Sequence, residues 1–178
     1  WEVYGIDPSP QAVEQAREQL GTKNIQLGTL QTVTLPEESF DLVVLWCTLE
    51  HMHDPLRSLQ CAFRLLQPGG QIRIAVPNAE SFEARLFGRY WNGWDPPRHL
   101  YVFSRGTIRS MVESAGFSKV KVRPHFMPVS VADSIDQWIA TRFKVRWRRP
   151  EQNLTYHLSY GVAVLSYFFG NEGCIEIE

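Results

Sequence analysis

Three stretches of this 178-residue chain carry side chains able to do chemistry. The first is the polar loop Trp46-Cys47-Thr48-Leu49-Glu50-His51-Met52-His53. Imidazole titrates near neutrality, so His51 can take a proton from an attacking hydroxyl or amine. Glu50 and His51 can equally hold the loop in shape by hydrogen bonds, with His53 on the surface. The second stretch is Pro96-Pro97-Arg98-His99. Arg98 and His99 suit an anionic or hydroxylated acceptor, and His99 is an alternative base. The competing reading is a hydrophobic lid with Arg98 stacked on a tryptophan. The third is Asp7, which closes an apolar run. A carboxylate there can accept from both vicinal hydroxyls of a ribose, although Asp7-Pro8-Ser9-Pro10 also reads as a turn leading into a helix cap. No metal is expected, because His51 and His53 flank one residue and no third ligand stands at a recognisable spacing.

These groups need a frame, and Ser39 to Pro77 supplies its centre. Phe40 to Leu45 is a short run rich in Val and Leu, the pattern of a strand buried on both faces of a parallel sheet. Asp54 and Pro55 open a helix whose Leu56, Leu59, Phe63 and Leu66 fall on one face. Gln67-Pro68-Gly69-Gly70 stops it and Gln71 to Val76 resumes as a strand. A β-α-β unit results, and sheets of this kind bind ligands in the loops at their strands' carboxyl ends. Upstream, Trp1 to Ile6 reads as a strand. Ser9 caps a helix striped by Ala12, Val13, Ala16 and Leu20, Gly21 ends it, and Asn24 to Leu27 is a weaker strand.

The run SFDLVVLWCTLEH, then DPLRSLQCAFRLLQPGG, then IRIAVP, resembles the class I S-adenosylmethionine-dependent methyltransferases, in the small-molecule branch of the type 11/23 kind. The resemblance covers about Trp1 to Val122. It implies an α/β fold: a Rossmann-like, mostly parallel sheet with helices on both faces and a reversed C-terminal strand. It implies S-adenosylmethionine as cofactor, with Asp7 on the ribose, Thr29 and Leu30 at the adenine, and Cys47 in the loop beside the methionine portion. In the family an acidic side chain commonly follows Gly28; Thr29 stands here and accepts without charge assistance. By the same resemblance Glu50 and His51 face the place where acceptor meets methyl group. The family's first strand and its G-x-G loop have no counterpart before Trp1. The chain is therefore expected to be N-terminally truncated, to leave two strands short of a neighbour, and to be inactive alone.

Composition limits the alternatives. At 44% hydrophobic and 21% charged residues, one domain is expected over 1–178, with an aromatic lid insertion at 78–103 and a helical C-terminal insertion at 126–170. Residues 1–60 carry 9 acidic and 3 basic side chains, which argues against general nucleic-acid binding. Three cysteines without C-x-x-C spacing fit free thiols in a reducing, cytoplasmic compartment. No apolar run reaches the ~20 residues of a membrane span. Further along, Ser104 opens a helix that buries Ile108, Met111, Val112 and Ala115. Phe117 to Val122 reads as a strand, Val129 to Arg149 as partly helical, and Gly173 to Ile177 as a final edge strand. Arg142, Lys144, Arg146, Arg148 and Arg149 form a basic run that fits a solvated face, an acidic substrate or a membrane surface.

The expected function is methyl transfer to a small-molecule acceptor, with a homodimer left open. The alternatives are a nicotinamide-dependent oxidoreductase, which also uses an acidic residue after its second strand, and a binding module that kept the fold. A final antiparallel strand would favour the methyltransferase.

Overall fold

Local chemistry starts each helix where the side chains allow. The Ser9 hydroxyl accepts the Ala12 N–H at 3.3 Å and Pro10 takes the first turn of α1 (Pro10–Leu20); Gly21 ends it in a left-handed conformation. Asp54 accepts the Arg57 N–H at 3.0 Å to open α2 (Pro55–Leu65). Ser104 and Thr107 exchange side-chain and backbone bonds in a capping box at the head of α4 (Arg105–Ser114). The computed structural model describes residues 1–125, 127–144, 159–164, 166 and 173–178. Its remaining elements are β1 (Gly5–Asp7), β2 (Ile25–Leu27), β3 (Phe40–Trp46), β4 (Leu66–Pro77), α3 (Phe82–Phe87), β5 (Val122–His125), α5 (Pro128–Phe143) and β6 (Cys174–Ile177).

The strands form two sheets. β1 and β2 pair in parallel, and a four-stranded sheet runs in the order β3-β4-β6-β5. β3 and β4 are parallel, while β6 is antiparallel to both β4 and β5. One core lies against the larger sheet: Leu45, Ile72, Ile74, Val76, Ile175 and Ile177 meet Leu59 and Ala62 of α2 and Ile108 and Val112 of α4. β1 and β3 share no ladder; both contribute side chains to the cleft between the sheets, and the Tyr4 ring meets Phe40 edge-on at 5.3 Å.

Tertiary packing moved several expected boundaries. Trp1 to Tyr4 stays outside β1, and Trp1 is fully exposed. In α2 the buried positions are Pro55, Ser58, Leu59, Cys61 and Ala62, whereas Leu56 and Phe63 are 37% and 44% exposed. The helix sits on the sheet through its small residues, and Phe63 packs instead against Phe117 at 5.1 Å. Phe117 holds to the end of α4 through its N–H to Val112 O, so β5 begins only at Val122. β6 is interior rather than an edge, because β5 pairs along its outer side and buries Ile175 and Ile177 completely. In the basic run, Arg142 and Lys144 are exposed and Arg146, Arg148 and Arg149 lie outside the described residues. Among the described residues no helix is long and apolar enough to cross a membrane.

Candidate functional site

A cleft of about 870 Å³ opens between the two sheets. Its lining runs from Gly5, Ile6 and Pro8, past Gly28, Thr29, Leu30 and Gln31, along Leu42 to Leu45 of β3, to Thr48, His51, Met52, His53 and Asp54. The carboxyl ends of β1, β2 and β3 therefore feed one cavity, of a size suited to a nucleoside-sized ligand. Gly28, at φ +147°, makes the turn after β2: a Cβ there would meet Thr32 Oγ1 at 2.8 Å and Val33 Cγ1 at 2.9 Å. The Gln31 side chain ties this turn to α2 through the Ser58 hydroxyl at 2.6 Å.

The loop after β3 is shaped by its backbone. Cys47 takes φ +48° and its N–H donates to Ala75 O, after which Leu49 to His51 form one tight helical turn. Glu50 O accepts the N–H groups of Leu100 and Tyr101, so the loop is bolted to the segment that carries His99. His51 and His99 face each other with ring centroids 4.7 Å apart. His51 Nδ1 lies 2.8 Å from Arg98 O and His99 Nδ1 lies 2.8 Å from Gly93 O. A carbonyl can only accept, so each Nδ1 carries a proton and Nε2 is the remaining nitrogen of each ring. The Glu50 side chain is 1% exposed, and its Oε2 has no hydrogen-bond partner among the described residues. Burial pushes the Glu50 carboxyl up, an effect partly offset by its own backbone N–H and by the neighbouring His51 and His99.

The remaining expected site residues scatter more widely. Asp7 Oδ1 accepts the Ser9 N–H at 2.7 Å, and its neighbours Ile6 and Pro8 line the cleft while Asp7 itself does not. Thr29 and Leu30 both line the cleft, the Thr29 hydroxyl 3.2 Å from that of Thr32. Cys47 turns to the buried Cys174 of β6, and this sulfur contact lowers its thiol against the opposing effects of burial and Glu50. Thr48, the next residue, takes the cleft wall instead. Arg98 pairs with Asp95 at 2.5 Å rather than stacking on a tryptophan. Asp95 had no sequence signal: its carboxylate stands 3.9 Å from His99 Nε2 only because an irregular turn folds Asp95 back on His99.

The aromatic segment is anchored below this site. Trp91 is buried, its neighbour Gly93 leaves no room for a Cβ beside that indole, and Asn92 N–H donates to Ser134 Oγ of α5 at 2.9 Å. The segment is thus packed against α5 as a wall that presents His99.

Comparison with known proteins matches a family model described as "Methyltransferase domain" over residues 1–122. A Mycolicibacterium smegmatis protein named as a probable S-adenosylmethionine-dependent methyltransferase is 29% identical over 118 residues, 65% of this chain and 43% of that protein. The chain spans about two fifths of the length of that curated relative and 34% of a chloroplastic 2-methyl-6-phytyl-1,4-hydroquinone methyltransferase from Oryza sativa. The crystal structure of a SAM-dependent methyltransferase from Thermotoga maritima superposes with a TM-score of 0.64 at 23% identity, covering 97% of this chain and 70% of that one. At that identity the likeness is one of fold.

Proposed function

Because this chain belongs to the S-adenosylmethionine-dependent methyltransferases of the methyltransferase-domain family, we propose that it transfers the methyl group of S-adenosylmethionine to a small-molecule oxygen, nitrogen or carbon nucleophile. The observation that carries this reading is the single cleft joining the Gly28–Gln31 turn to the His51 loop. Its residues fit the cofactor. Leu30 offers an apolar surface for the adenine and the Thr29 hydroxyl a polar contact at its edge, while Asp7, outside the lining and accepting from Ser9 N–H, ends β1 between the cleft residues Ile6 and Pro8 and would have to turn its carboxylate inward to reach the ribose. When bound, S-adenosylmethionine supplies a sulfonium methyl, an electrophile that needs mainly alignment with its nucleophile. His51 lines the other end of the cleft, with Glu50 and His99 clustered beside it. When unprotonated, Nε2 on either ring can accept the proton of a hydroxyl or amine acceptor, and the Arg98 and Gly93 carbonyls hold both rings in the tautomer that does so.

The reversed strand β6, between β4 and β5, supports a methyltransferase over a nicotinamide-dependent oxidoreductase. Cys47, Cys61 and Cys174, an odd set without C-x-x-C spacing, supports a cytoplasmic setting. The site is tested through Asp7. In a protein that binds S-adenosylmethionine, Asp7→Ala is expected to weaken that binding by ~1.5–3 kcal/mol, the range for hydrogen bonds to a charged group. Calorimetry reads the difference, and an unchanged affinity would take Asp7 out of the site.

A further inference from the structure

We propose that Glu50, His51 and His99 form a binding site for one divalent first-row cation, with zinc the best match to two imidazoles and a carboxylate. Spacing along the chain could not show it, because the third ligand comes from 48 residues beyond His51. The fold brings it back: Leu100 and Tyr101 bond to Glu50 O, and His99 arrives beside His51.

Three features of the cluster point to a cation. One ligand atom from each of the three side chains lies within 4.8 Å of the others. A tetrahedral site with bonds of ~2.0–2.1 Å places its ligand atoms ~3.3 Å apart, so closure requires shifts of about 1 Å, and His51 itself is exposed. Each imidazole donates Nδ1–H to a backbone carbonyl, the supporting bond that metal-bound histidines ordinarily make, which leaves Nε2 as the available ligand atom, that of His99 standing 3.9 Å from Asp95 Oδ2. Finally, Glu50 is buried with one oxygen unpartnered among the described residues, and a buried polar atom without a partner is costly. A cation satisfies that oxygen and leaves a coordination position for an outside ligand. On the methyl-transfer reading, a hydroxyl bound there would be acidified by the ion rather than deprotonated by an imidazole.

The rival holder of a cation is the thiol pair Cys47 and Cys174, and the test separates the two. The 178-residue chain is titrated with Co²⁺ and then Zn²⁺, without S-adenosylmethionine or acceptor, so the result is independent of methyl transfer. One equivalent should bind, with visible ligand-field bands and no near-ultraviolet thiolate absorption, and Zn²⁺ should displace Co²⁺. Glu50→Gln and His99→Asn should each weaken binding by at least ~100-fold, since losing even a supporting bond to a ligand costs 10–100-fold. His53→Ala, outside the cluster, should bind as the unaltered chain does. Circular dichroism checks that each variant folds; for one that does not, the unaltered chain's own cobalt spectrum decides. A thiolate band, no stoichiometric binding, or full affinity in folded Glu50→Gln would overturn the site.

Discussion

His51 and His99 present equivalent chemistry, each with Nε2 as its remaining nitrogen and an Nδ1 fixed by a carbonyl, but only His51 lines the cleft. That difference makes His51 the group nearer an acceptor. With an acceptor in hand and no cation bound, His51→Ala should lower kcat by roughly 100-fold or more while cofactor affinity stays nearly constant, because a proton-transfer contribution is lost only in the transition state. Steady-state kinetics paired with calorimetry tests this. A modest, parallel fall in kcat and cofactor affinity would mean that His51 only shapes the loop. A larger effect at His99→Ala would move the base to the aromatic wall.

Helix caps and buried acids set the stability of the elements that carry these groups. The Ser104–Thr107 capping box fixes the start of α4, whose Ile108 and Val112 lie in the core beneath the sheet. Ser104→Ala should cost ~1 kcal/mol in denaturant unfolding, the usual value of a lost N-cap. Glu83 in α3 is 2% exposed, and burial raises its carboxyl despite hydrogen bonds from its own backbone and Gly173 and from Ser166 and Ser81. A folded-state value above the unfolded one means that the contribution of Glu83 is fully present in acid and is lost as pH rises through the folded value. Glu83→Gln removes that loss, so its melting temperature relative to the unaltered protein should climb as pH rises above the unfolded carboxyl value of about 4. A difference that stays flat with pH would show the carboxyl to be already relieved by its partners.

At the scale of the molecule, two sheets share one cleft without sharing a ladder. Among the described residues β1 pairs only with β2 and β3 only with β4, and Gly5, Ile6 and Leu42 to Leu45 line the space between them. Less protein surface therefore meets a cofactor there than in a continuous sheet. We expect this 178-residue chain to bind S-adenosylmethionine with a Kd weaker than about 1 µM, at or below the ~8 kcal/mol that this figure represents. Tighter binding by calorimetry would show that the cleft suffices as it stands.

Sequence alone determined what depends on near neighbours. Caps at Ser9, Asp54 and Ser104, the left-handed stop at Gly21 and the β3-α2-β4 unit all follow from contacts within a few residues. The apolar run of β3 read as buried on both faces, but its outer side borders the cleft, so only Leu45 is buried and Val44 is 52% exposed. The motif run in that unit also carried the family, which the match over residues 1–122 bears out. Tertiary structure decided the rest, because it rests on which distant surfaces meet. Helical spacing marked Leu56 and Phe63 as core, but α2 approaches the sheet through Ser58, Cys61 and Ala62, whose small size lets it sit close. β6 looked like an edge because strand order is invisible in a short apolar run, and only its pairing with β5 places it inside. The histidine cluster shows the same limit most sharply. His51 and His99 are 48 residues apart, and the two N–H groups donated to Glu50 O join them.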